Sequence, residues 1–504
     1  MARRRYMHLS NLIDFSETSS LERGESSLVI THLTSDSRTA QNGSLFAAID
    51  GNSIDGKKFI PDAIKNGAIA ILTDSKDIDL PDHVALIITQ NVRAVFAKAC
   101  AKFWPSKPGF IAAVTGTNGK SSTVEFLRQI WERNTWNAAS LGTLGARSST
   151  PHTITTSGLT TPSSEQFFSV LNDFSKHNIS YLALEASSHG LDQQRIQGLS
   201  VQVAVFTNLS RDHLDYHTDM NSYFAAKEKL FSNYLANGGY AVVNYDDVFG
   251  KKLIESLKNR PVSIKTFGED EAADFYITSI LATDFGLELT VIYQEKKYIC
   301  PLGLTGFFQA KNALCAAITS FLSGLPIEIA LRSMSFLTSI DGRMQPIHGH
   351  PNGALIVIDY AHSPEALKQV LVSLRKQTGK KLHVVFGCGG ERDEGKRPLM
   401  GKIAHEFADN IIITDDNPRN ESPQIIRAEI MAECPNAIEI GNRDEAIAFA
   451  IQQLQEADCL LIAGKGHESL QLIGSETLPF SDAVVARNTV KRLAQSTLIE
   501  EISK

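Results

Sequence analysis

Cysteine is scarce in this chain: six cysteines occur among 504 residues, and no two of them form a C-x-x-C pair. This pattern argues against a disulfide framework and a cysteine-based metal site, so reduced, mostly buried thiols in a cytoplasm are predicted. Basic residues are too few for a nucleic-acid-binding field, because 49 Lys and Arg stand against 56 Asp and Glu. No apolar run approaches the ~18 residues of a membrane span. The remaining expectation is a globular protein of the cytosol, with 43% hydrophobic residues.

The length favours about three domains at roughly 150 residues each. Short strand-like runs separated by Asp, Gly and Pro turns fill the first hundred residues, at 44–49, 68–73 and 84–89. A pair of prolines within residues 104–108 then indicates a boundary. The predicted domains span residues 1–107, 108–344 and 345–504.

Alternating strands and helices are predicted in the second and third domains, so the expected fold class is α/β throughout. The central domain has buried-strand candidates at 110–114, 181–184 and 201–206, helices at 121–133 and 309–322, and a β-rich annex at 262–300. In the last domain apolar runs recur at 354–358, 382–386, 410–413, 437–440 and 459–463, which is typical of a Rossmann-like, doubly wound sheet. Ligands of such sheets bind beyond the carboxyl ends of the strands, where this chain is polar or glycine-rich.

A glycine-rich loop, GTNGKSS at residues 116–122, follows the first central strand and precedes a helix. Its glycines allow backbone N–H groups to turn toward phosphate oxygens, and the helix N-terminus adds partial positive charge. Lys120 would reach the terminal phosphates of ATP, and Ser121 would ligate magnesium. The spacing G-x-x-G-K-S is two residues shorter than the common P-loop, so the general pattern alone does not identify the ligand. The flanking strand and helix favour ATP.

Two further polar segments follow strands of the central domain. Glu185 comes directly after the run at 181–184, at a strand end where a magnesium ligand beside a P-loop belongs. A capping or solvated glutamate would explain this residue equally well by itself. The segment 207–217 holds two histidines and two aspartates within six residues, and in isolation it is more typical of a polar loop than of a metal site.

Nine motifs together resemble the Mur ligase family, in the right order and over nearly the whole chain. They are GTNGKSS (116–122), EASSHGLDQQR (185–195), TNLSRDHLDYH (207–217), YFAAK (223–227), DGRM (341–344), DYAHSPEAL (359–367), GCGGERDEGKRPLMG (387–401), DDNPR (415–419) and GKGHE (464–468). Within the family, the motif at 416–419 is similar to that of the members that add diaminopimelate.

The resemblance implies an N-terminal domain that holds a UDP-sugar, a central ATPase, and a C-terminal domain that brings the incoming amino acid. ATP and Mg²⁺ would be the cofactors, and UDP-MurNAc-L-Ala-D-Glu and meso-diaminopimelate the substrates. ATP would phosphorylate the D-Glu side-chain carboxylate, and the amine would then attack the acyl phosphate. The mixed anhydride has a good leaving group, which splits one high barrier into two lower ones. A monomer without nucleic-acid or membrane partners, serving peptidoglycan precursor synthesis in the cytoplasm, is expected.

The resemblance also implies roles for individual residues of the central site. The catalytic set would be Lys120, Glu185, His213 and Lys227, with Lys227 carbamylated (N6-carboxylysine). Magnesium would be held by Ser121, Glu185, His213 and the carbamate of Lys227. ATP would be bound by Gly116, Thr117, Asn118, Gly119, Lys120, Ser121, Ser122, Asn312, Arg343 and Asp359.

Two substrate sites carry over in the same way. The UDP-MurNAc-dipeptide would contact Ser35, Ser37, Asn52, Ser53, Ile54, Thr160, Thr161, Ser187, Gln193 and Arg195. Diaminopimelate would contact Arg392, Asp416, Asn417, Pro418, Arg419, Gly464 and Glu468. The chain departs from the family at two positions: Gln309 stands where asparagine is usual, and Gln345 where glutamate is usual.

Two other functions are compatible with the sequence. The same reaction with L-lysine is the closer alternative, although lysine-adding members lack the arginine found here at 419. A non-catalytic relative that binds nucleotide or precursor is the second. The charged residues of the predicted catalytic set argue against the non-catalytic alternative: Lys120, Glu185, His213 and Lys227. A protein without catalytic activity has no physical need to keep groups that repel one another or lose their hydration.

Overall fold

The computed structural model describes residues 5–15, 19–51, 54–150, 159–214, 216–283 and 286–502, with side chains through residue 496. Within these ranges, sheets of five, ten and six strands follow one another along the chain and pack against helices. The predicted α/β fold class is therefore confirmed. No helix of the described part is long and apolar enough to cross a membrane. All six cysteines are buried and unpaired.

The N-terminal sheet is parallel except at one edge. Its strands, in sheet order, are Ser19–Arg23, Ala85–Thr89, Ala68–Thr73, Ser44–Ala47 and His32–Thr34, of which Ser19–Arg23 is antiparallel to its neighbour. Helices Leu9–Leu12, Ile60–Lys65 and Val92–Phe103, the 3₁₀ turns Ser37–Thr39 and Gly56–Phe59, and the strand pair Met7–His8 with Val29–Ile30 complete this region. The predicted strands at 44–49, 68–73 and 84–89 match to within two residues.

A continuous apolar core joins this sheet to the central domain. Helix Val92–Phe103 packs against helix Ser164–Lys176. Phe96 and Phe103 from the first helix and Phe167 from the second belong to one buried cluster, which extends beneath both sheets. Burial of aromatic side chains stabilises such a contact strongly, so the two sheets are held together as one body.

The central sheet is parallel in its middle and antiparallel at both edges. In sheet order the strands are Gly145–Ser148, Ala138–Gly142, Tyr181–Glu185, Phe110–Thr115, Val201–Phe206, Leu235–Asn244, Ser263–Gly268, Phe275–Thr283, Gly286–Tyr293 and Lys296–Leu302. The helices are Lys120–Arg133, Ser164–Lys176, Ser188–Asp192, Met220–Lys229, Val248–Leu257, Phe307–Leu322 and Ile327–Ser333, with a π-helical turn at Leu230–Tyr234 and a 3₁₀ turn at Met334–Phe336. The predicted β-rich annex is therefore not a separate sheet, because its strands continue the central sheet at one edge.

The C-terminal sheet is parallel apart from its first strand. Its order is Gln345–Ile347, Leu355–Asp359, Cys459–Ala463, Leu382–Phe386, Asn410–Ile413 and Ile438–Glu439. Helices Pro364–Arg375, Lys396–Phe407, Pro423–Met431, Arg443–Gln452 and Asp482–Ile502 and the hairpin Leu470–Ile473/Glu476–Pro479 surround it, with one apolar cluster on each face. The carboxyl ends of the parallel strands share one edge, which brings their loops together.

Candidate functional site

A cavity of about 190 Å³ lies between the glycine-rich loop and the C-terminal domain. It is lined by residues of the P-loop, of five other central segments, of the interdomain linker and of the C-terminal domain. Those predicted to bind ATP or magnesium are Thr117, Asn118, Gly119, Lys120, Ser121, Ser122, Glu185, His213, Asn312, Arg343 and Asp359. Tertiary structure thus assembles residues that lie up to about 240 positions apart in the chain. Gly116 does not line the cavity, although its carbonyl organises the loop beneath it.

The backbone of the loop requires glycine at two points. Gly116 and Gly119 have φ angles of 148° and 86°, a region that L side chains rarely adopt. A Cβ atom at Gly119 would lie 2.5 Å from Oδ1 of Asn312, and one at Gly116 would collide with Thr207. Gly119 also precedes helix Lys120–Arg133, so the N-terminus of that helix faces the cavity. This arrangement suits a phosphate group.

Two lysines converge on the same carbonyl oxygen of the loop. Lys120 Nζ donates to the carbonyls of Gly116 (2.9 Å) and Thr117 (2.8 Å), and Lys227 Nζ donates to that of Gly116 (2.8 Å). Burial lowers the pKa of Lys120, and burial together with the charge of Lys120 lowers the pKa of Lys227 well below its ordinary value. A lowered pKa increases the fraction of neutral, nucleophilic amine, which favours reaction of Lys227 with CO₂.

Glu185 is held rigidly at its predicted strand end. The backbone N–H of Thr143 donates to Oε1 (2.9 Å), the hydroxyl of Thr143 donates to Oε2 (3.1 Å), and a hydrogen bond from Ser121 also reaches this carboxylate. Burial raises the pKa of Glu185, whereas the charges of Lys120 and Arg343 oppose that rise. The carboxylate therefore lies against the cationic P-loop.

The donor set fits a magnesium ion that is carried by a nucleotide. The described residues contain no group of three or more His, Cys, Asp or Glu side chains that would form a metal site of their own. Mg²⁺ usually needs only one or two protein carboxylates beside phosphate and water, and here Glu185 would supply one carboxylate and Ser121 a hydroxyl. Burial lowers the pKa of His213 to about 4, with Asp212 opposing the shift, so its imidazole is neutral and free to act as a ligand.

The linker between the central and C-terminal domains closes over the loop. Arg343 Nη2 donates to Ser121 Oγ (3.2 Å), its guanidinium lies 4.5 Å from the ring centre of Tyr360, and its Nε is buried with no hydrogen-bond partner. Asp359 accepts from the backbone N–H groups of Met344 (2.8 Å) and Ala361 (2.9 Å). Burial raises the pKa of Asp359 to about 6. Arg343 therefore keeps one buried donor unsatisfied beside the P-loop.

The departure at Gln345 has a local explanation. Its Oε1 accepts from the backbone N–H of Gly342 (2.9 Å), and its Nε2 donates to Asp341 Oδ1 (3.4 Å). A glutamate at this position would place a second carboxylate against Asp341. The amide therefore donates a hydrogen bond to Asp341 that an ionised glutamate at this position would not supply.

A second cavity of about 550 Å³ adjoins the first. Six of the seven residues predicted to bind diaminopimelate line it, namely Arg392, Asp416, Asn417, Arg419, Gly464 and Glu468, whereas Pro418 does not. Arg419 Nη1 donates to the carbonyl of Gly390 (2.7 Å), and Asn417 Nδ2 donates to Glu468 Oε2 (2.9 Å). The two cavities share Asp212, His213, Tyr360 and His362, so groups bound in each can meet there.

Lys465 is a residue of this second site that the sequence-based assignment omitted. It is 0% exposed, and its Nζ donates to Asn417 Oδ1 (3.0 Å) and Glu468 Oε2 (3.1 Å). One oxygen of Glu468 is thus held by protein donors, which orients the carboxylate. The signal in the sequence was a lysine two residues beyond the end of the buried strand Cys459–Ala463, after Gly464.

The predicted sugar-peptide contacts fall into two groups. Thr160, Thr161, Ser187, Gln193 and Arg195 lie together: Arg195 donates to the Thr161 carbonyl (2.6 Å) and to Gln193 Oε1 (2.8 Å), and Ser187 donates to Thr161 Oγ1 (3.0 Å). Thr160 joins this group through Thr143, whose hydroxyl also contacts Glu185.

The second group belongs to the N-terminal domain. Ser35 Oγ donates to Glu165 of the central domain (2.8 Å), and Ser37 is buried, with its carbonyl accepting from Asn66 (2.9 Å). Ile54 is 52% exposed. Asn52 and Ser53 lie outside the described residues.

Comparison with known proteins gives consistent results over the three regions. Family descriptions match as "Mur ligase family, catalytic domain" at residues 29–103, "Mur ligase middle domain" at 114–320 and "Mur ligase, glutamate ligase domain" at 342–466. The UDP-N-acetylmuramoyl-L-alanyl-D-glutamate--2,6-diaminopimelate ligase of Bradyrhizobium diazoefficiens is 43% identical over 97% of this chain and 100% of its own length. The enzyme of the same name from Brucella melitensis is 42% identical over 97% and 99%.

A solved structure is also similar along the whole chain. It is a UDP-N-acetylmuramoyl-L-alanyl-D-glutamate--2,6-diaminopimelate ligase, 32% identical, with a TM-score of 0.68 over 96% of this chain and 99% of the other. Identity at this level over the full length includes all three domains and both cavities. The chain belongs to the Mur ligase family.

Proposed function

We propose that this chain is an ATP-dependent ligase that joins meso-diaminopimelate to UDP-MurNAc-L-Ala-D-Glu in cytoplasmic peptidoglycan precursor synthesis. One observation carries the proposal: a P-loop cavity and a cavity containing the 416–419 motif meet at Asp212, His213, Tyr360 and His362. Related proteins that match nearly the whole chain bear the name of this enzyme. The domains would span 1–107, 108–344 and 345–504, in a monomer.

The first step would transfer the γ-phosphoryl group of ATP to the D-Glu side-chain carboxylate. Such a transfer depends on positive charge placed around the phosphoryl oxygens, which Lys120 and Arg343 would supply. Magnesium, held by Ser121 and Glu185 and in a second position by His213 and carbamylated Lys227, would neutralise phosphate charge. Arg195 belongs to the residues that would orient the substrate carboxylate. Three hydrogen bonds donated by its N–H groups fix the plane of its guanidinium.

The second step would be attack of the diaminopimelate amine on the acyl phosphate, which releases inorganic phosphate. Diaminopimelate differs from lysine by a carboxylate at the far end of its side chain. The planar guanidinium of Arg419 can bind a carboxylate through two parallel hydrogen bonds, and Glu468 can accept from the distal ammonium. This pairing favours diaminopimelate over L-lysine, which would leave the charge of Arg419 without a carboxylate partner.

A phosphate-release assay tests the function directly. The purified protein would be supplied with UDP-MurNAc-L-Ala-D-Glu, ATP and Mg²⁺, and with meso-diaminopimelate, L-lysine or no amino acid. We expect phosphate release that depends on diaminopimelate, together with a product heavier by one diaminopimelate residue. Preference for lysine would support the alternative substrate, and no release with any amino acid would support a non-catalytic relative.

A further inference from the structure

Two buried amide side chains connect the linker to the P-loop cavity. Gln309 Nε2 donates to the backbone carbonyl of Arg343 (3.5 Å), and Gln309 Oε1 accepts from Nδ2 of Asn312 (2.9 Å). Gln309 is 2% exposed and Asn312 is 8% exposed. Both residues lie on helix Phe307–Leu322, three positions apart, so their side chains share one face of the helix.

The direction of these hydrogen bonds determines the orientation of both amides. A backbone carbonyl can only accept, so the end of Gln309 that faces residue 343 must be its NH₂ group. The opposite end, Oε1, then requires a donor from Asn312, which only Nδ2 can provide. Oδ1 of Asn312 is consequently left as a fixed acceptor, and it lies beside Gly119.

Asn312 faces a space that suits a purine base. It lines both the P-loop cavity and a third cavity of about 430 Å³. Phe267, Ile280, Phe307 and Phe308 contribute apolar walls to that third cavity. The rest of the lining is mostly polar, so a heterocyclic ligand could stack on the apolar residues while its polar edge contacts an oriented amide.

An amide held in this orientation distinguishes between purines. Adenine presents an N6–H₂ donor beside an N7 acceptor, and an asparagine amide can satisfy both groups at once. Guanine and hypoxanthine carry an O6 acceptor in place of the amino group. With the Asn312 amide unable to turn over, its Oδ1 would face that O6, and two buried acceptors would be left without a donor.

We propose that Gln309 is a positioning residue that makes this chain select 6-aminopurine over 6-oxopurine nucleoside triphosphates. The inference rests on the proposed function, because it requires a nucleoside triphosphate in the P-loop cavity. Gln309 would act through Asn312 and would not contact the reacting atoms. This chain has glutamine at position 309, where asparagine is usual in the family. The sequence alone therefore assigned no role to Gln309.

The test compares kcat/KM for ATP and ITP in the wild type, Gln309→Met and Gln309→Glu. We expect the wild type to prefer ATP by at least about 30-fold, as for a site whose buried polar groups mismatch the wrong ligand. Gln309→Met removes both hydrogen bonds at similar volume and should lower the ATP:ITP ratio at least about tenfold, mainly through KM. Gln309→Glu loses the donor to the Arg343 carbonyl but keeps the acceptor opposite Asn312 Nδ2 that orients this amide, so its ratio should stay within about threefold of the wild type.

Thr319→Val is the matched control. Thr319 lies on the same helix, is 0% exposed, and donates its hydroxyl to the carbonyl of Cys315 (2.8 Å), away from the nucleotide. Its replacement should lower thermal stability without changing the ATP:ITP ratio. A wild type that uses ATP and ITP equally would overturn the inference, as would an unchanged ratio in an active Gln309→Met. Absence of phosphate release from the wild type with either nucleotide would instead contradict the proposed function and, with it, this inference.

Discussion

Lys120 combines a half-buried position with a cationic role, and this combination makes its removal informative. Its ammonium donates hydrogen bonds to the carbonyls of Gly116 and Thr117 instead of to bulk water, at the place where phosphate charge would develop. Lys120→Ala should lower turnover by about 10³-fold, as is typical of deleting one preorganised charge. The thermal midpoint should change little, because the lysine is desolvated in the folded protein. Wild-type phosphate release from the purified variant would contradict the P-loop assignment.

Lys227 differs from an ordinary helix lysine in its surroundings. Its side chain is 1% exposed, and its Nζ lies 4.4 Å from the ring centre of Tyr223. An ammonium would be repelled by magnesium, whereas a carbamate would bind it, so we expect ¹³C-bicarbonate to label this residue. The measurement is a carbamate signal in ¹³C NMR of the magnesium-loaded protein near neutral pH.

Lys229 provides a control for Lys227. It lies two residues further along the chain, is partly exposed, and pairs with Asp192 at 2.6 Å. The carbamate signal and most of the activity should disappear in Lys227→Ala and persist in Lys229→Ala. Full activity of Lys227→Ala without a carbamate signal in the wild type would disprove the modification.

Arg419 should determine which amino acid is added. Losing a charge-assisted bidentate pair in a closed pocket costs roughly 2–5 kcal/mol, so Arg419→Ala should lower kcat/KM for diaminopimelate by about 30- to several-thousand-fold. Arg419→Lys keeps the charge but loses the planar fork, and an intermediate value is expected. L-Lysine as a substrate is the internal comparison. A wild type that prefers lysine, or an alanine variant with undiminished preference for diaminopimelate, would refute the assignment.

At the scale of elements, the contact between the linker and the loop after the last parallel strand depends on one glycine. Gly342 has a φ of 65°, and a Cβ there would collide with the backbone of Gly466 and His467. Gly353 has a similar φ of 70°, but nothing lies within 4 Å of its Cβ position. Comparing substitutions at the two glycines therefore separates the effect of backbone strain from the effect of steric contact.

Alanine at each of these glycines should have different effects. Gly353→Ala should lower the free energy of unfolding by about 1–2 kcal/mol through the left-handed backbone alone. Gly342→Ala should cost at least about 2 kcal/mol more, because overpacking is added, and should raise the KM for diaminopimelate through displacement of the 464–468 loop. Denaturant unfolding and steady-state kinetics measure both quantities. Equal destabilisation by the two substitutions would show that the contact does not constrain the linker.

At the scale of the whole molecule, the distribution of apolar cores predicts how the protein unfolds. The N-terminal and central sheets share a continuous core that contains Phe167, whereas Leu461 lies in a core confined largely to the C-terminal sheet. We expect calorimetry to resolve two transitions. Phe167→Ala should lower the midpoint temperature of one transition, and Leu461→Ala that of the other. The corresponding losses of stability are about 3–5 kcal/mol and about 2–5 kcal/mol.

Circular dichroism and activity measured on the same samples identify the transitions. Loss of diaminopimelate-dependent activity should follow whichever transition comes first, because residues of the central and C-terminal domains line both cavities. One transition that both substitutions shift equally would mean that the three sheets unfold as a single unit.

The amino-acid sequence by itself determined the elements and the chemistry of the motifs. The runs at 68–73, 201–206 and 382–386 became strands with the predicted bounds, because their mostly apolar composition and flanking turn residues are local properties. The strand–loop–helix context of the P-loop and the order of nine motifs likewise indicated the family without any contact information. Strand ends shifted by one or two residues elsewhere, since pairing with a neighbour decides where a strand stops.

Only the tertiary structure decided which of these segments meet. Lys120 and Lys227 share one carbonyl, Arg343 reaches Ser121 across 222 positions, and Lys465 fixes Glu468 and Asn417. The same holds for Gln309, whose role depends on which atoms of Arg343 and Asn312 face it. Hydrogen-bond direction, burial and the resulting pKa shifts depend on distances between chain-remote groups, and no local pattern of residue types specifies those distances.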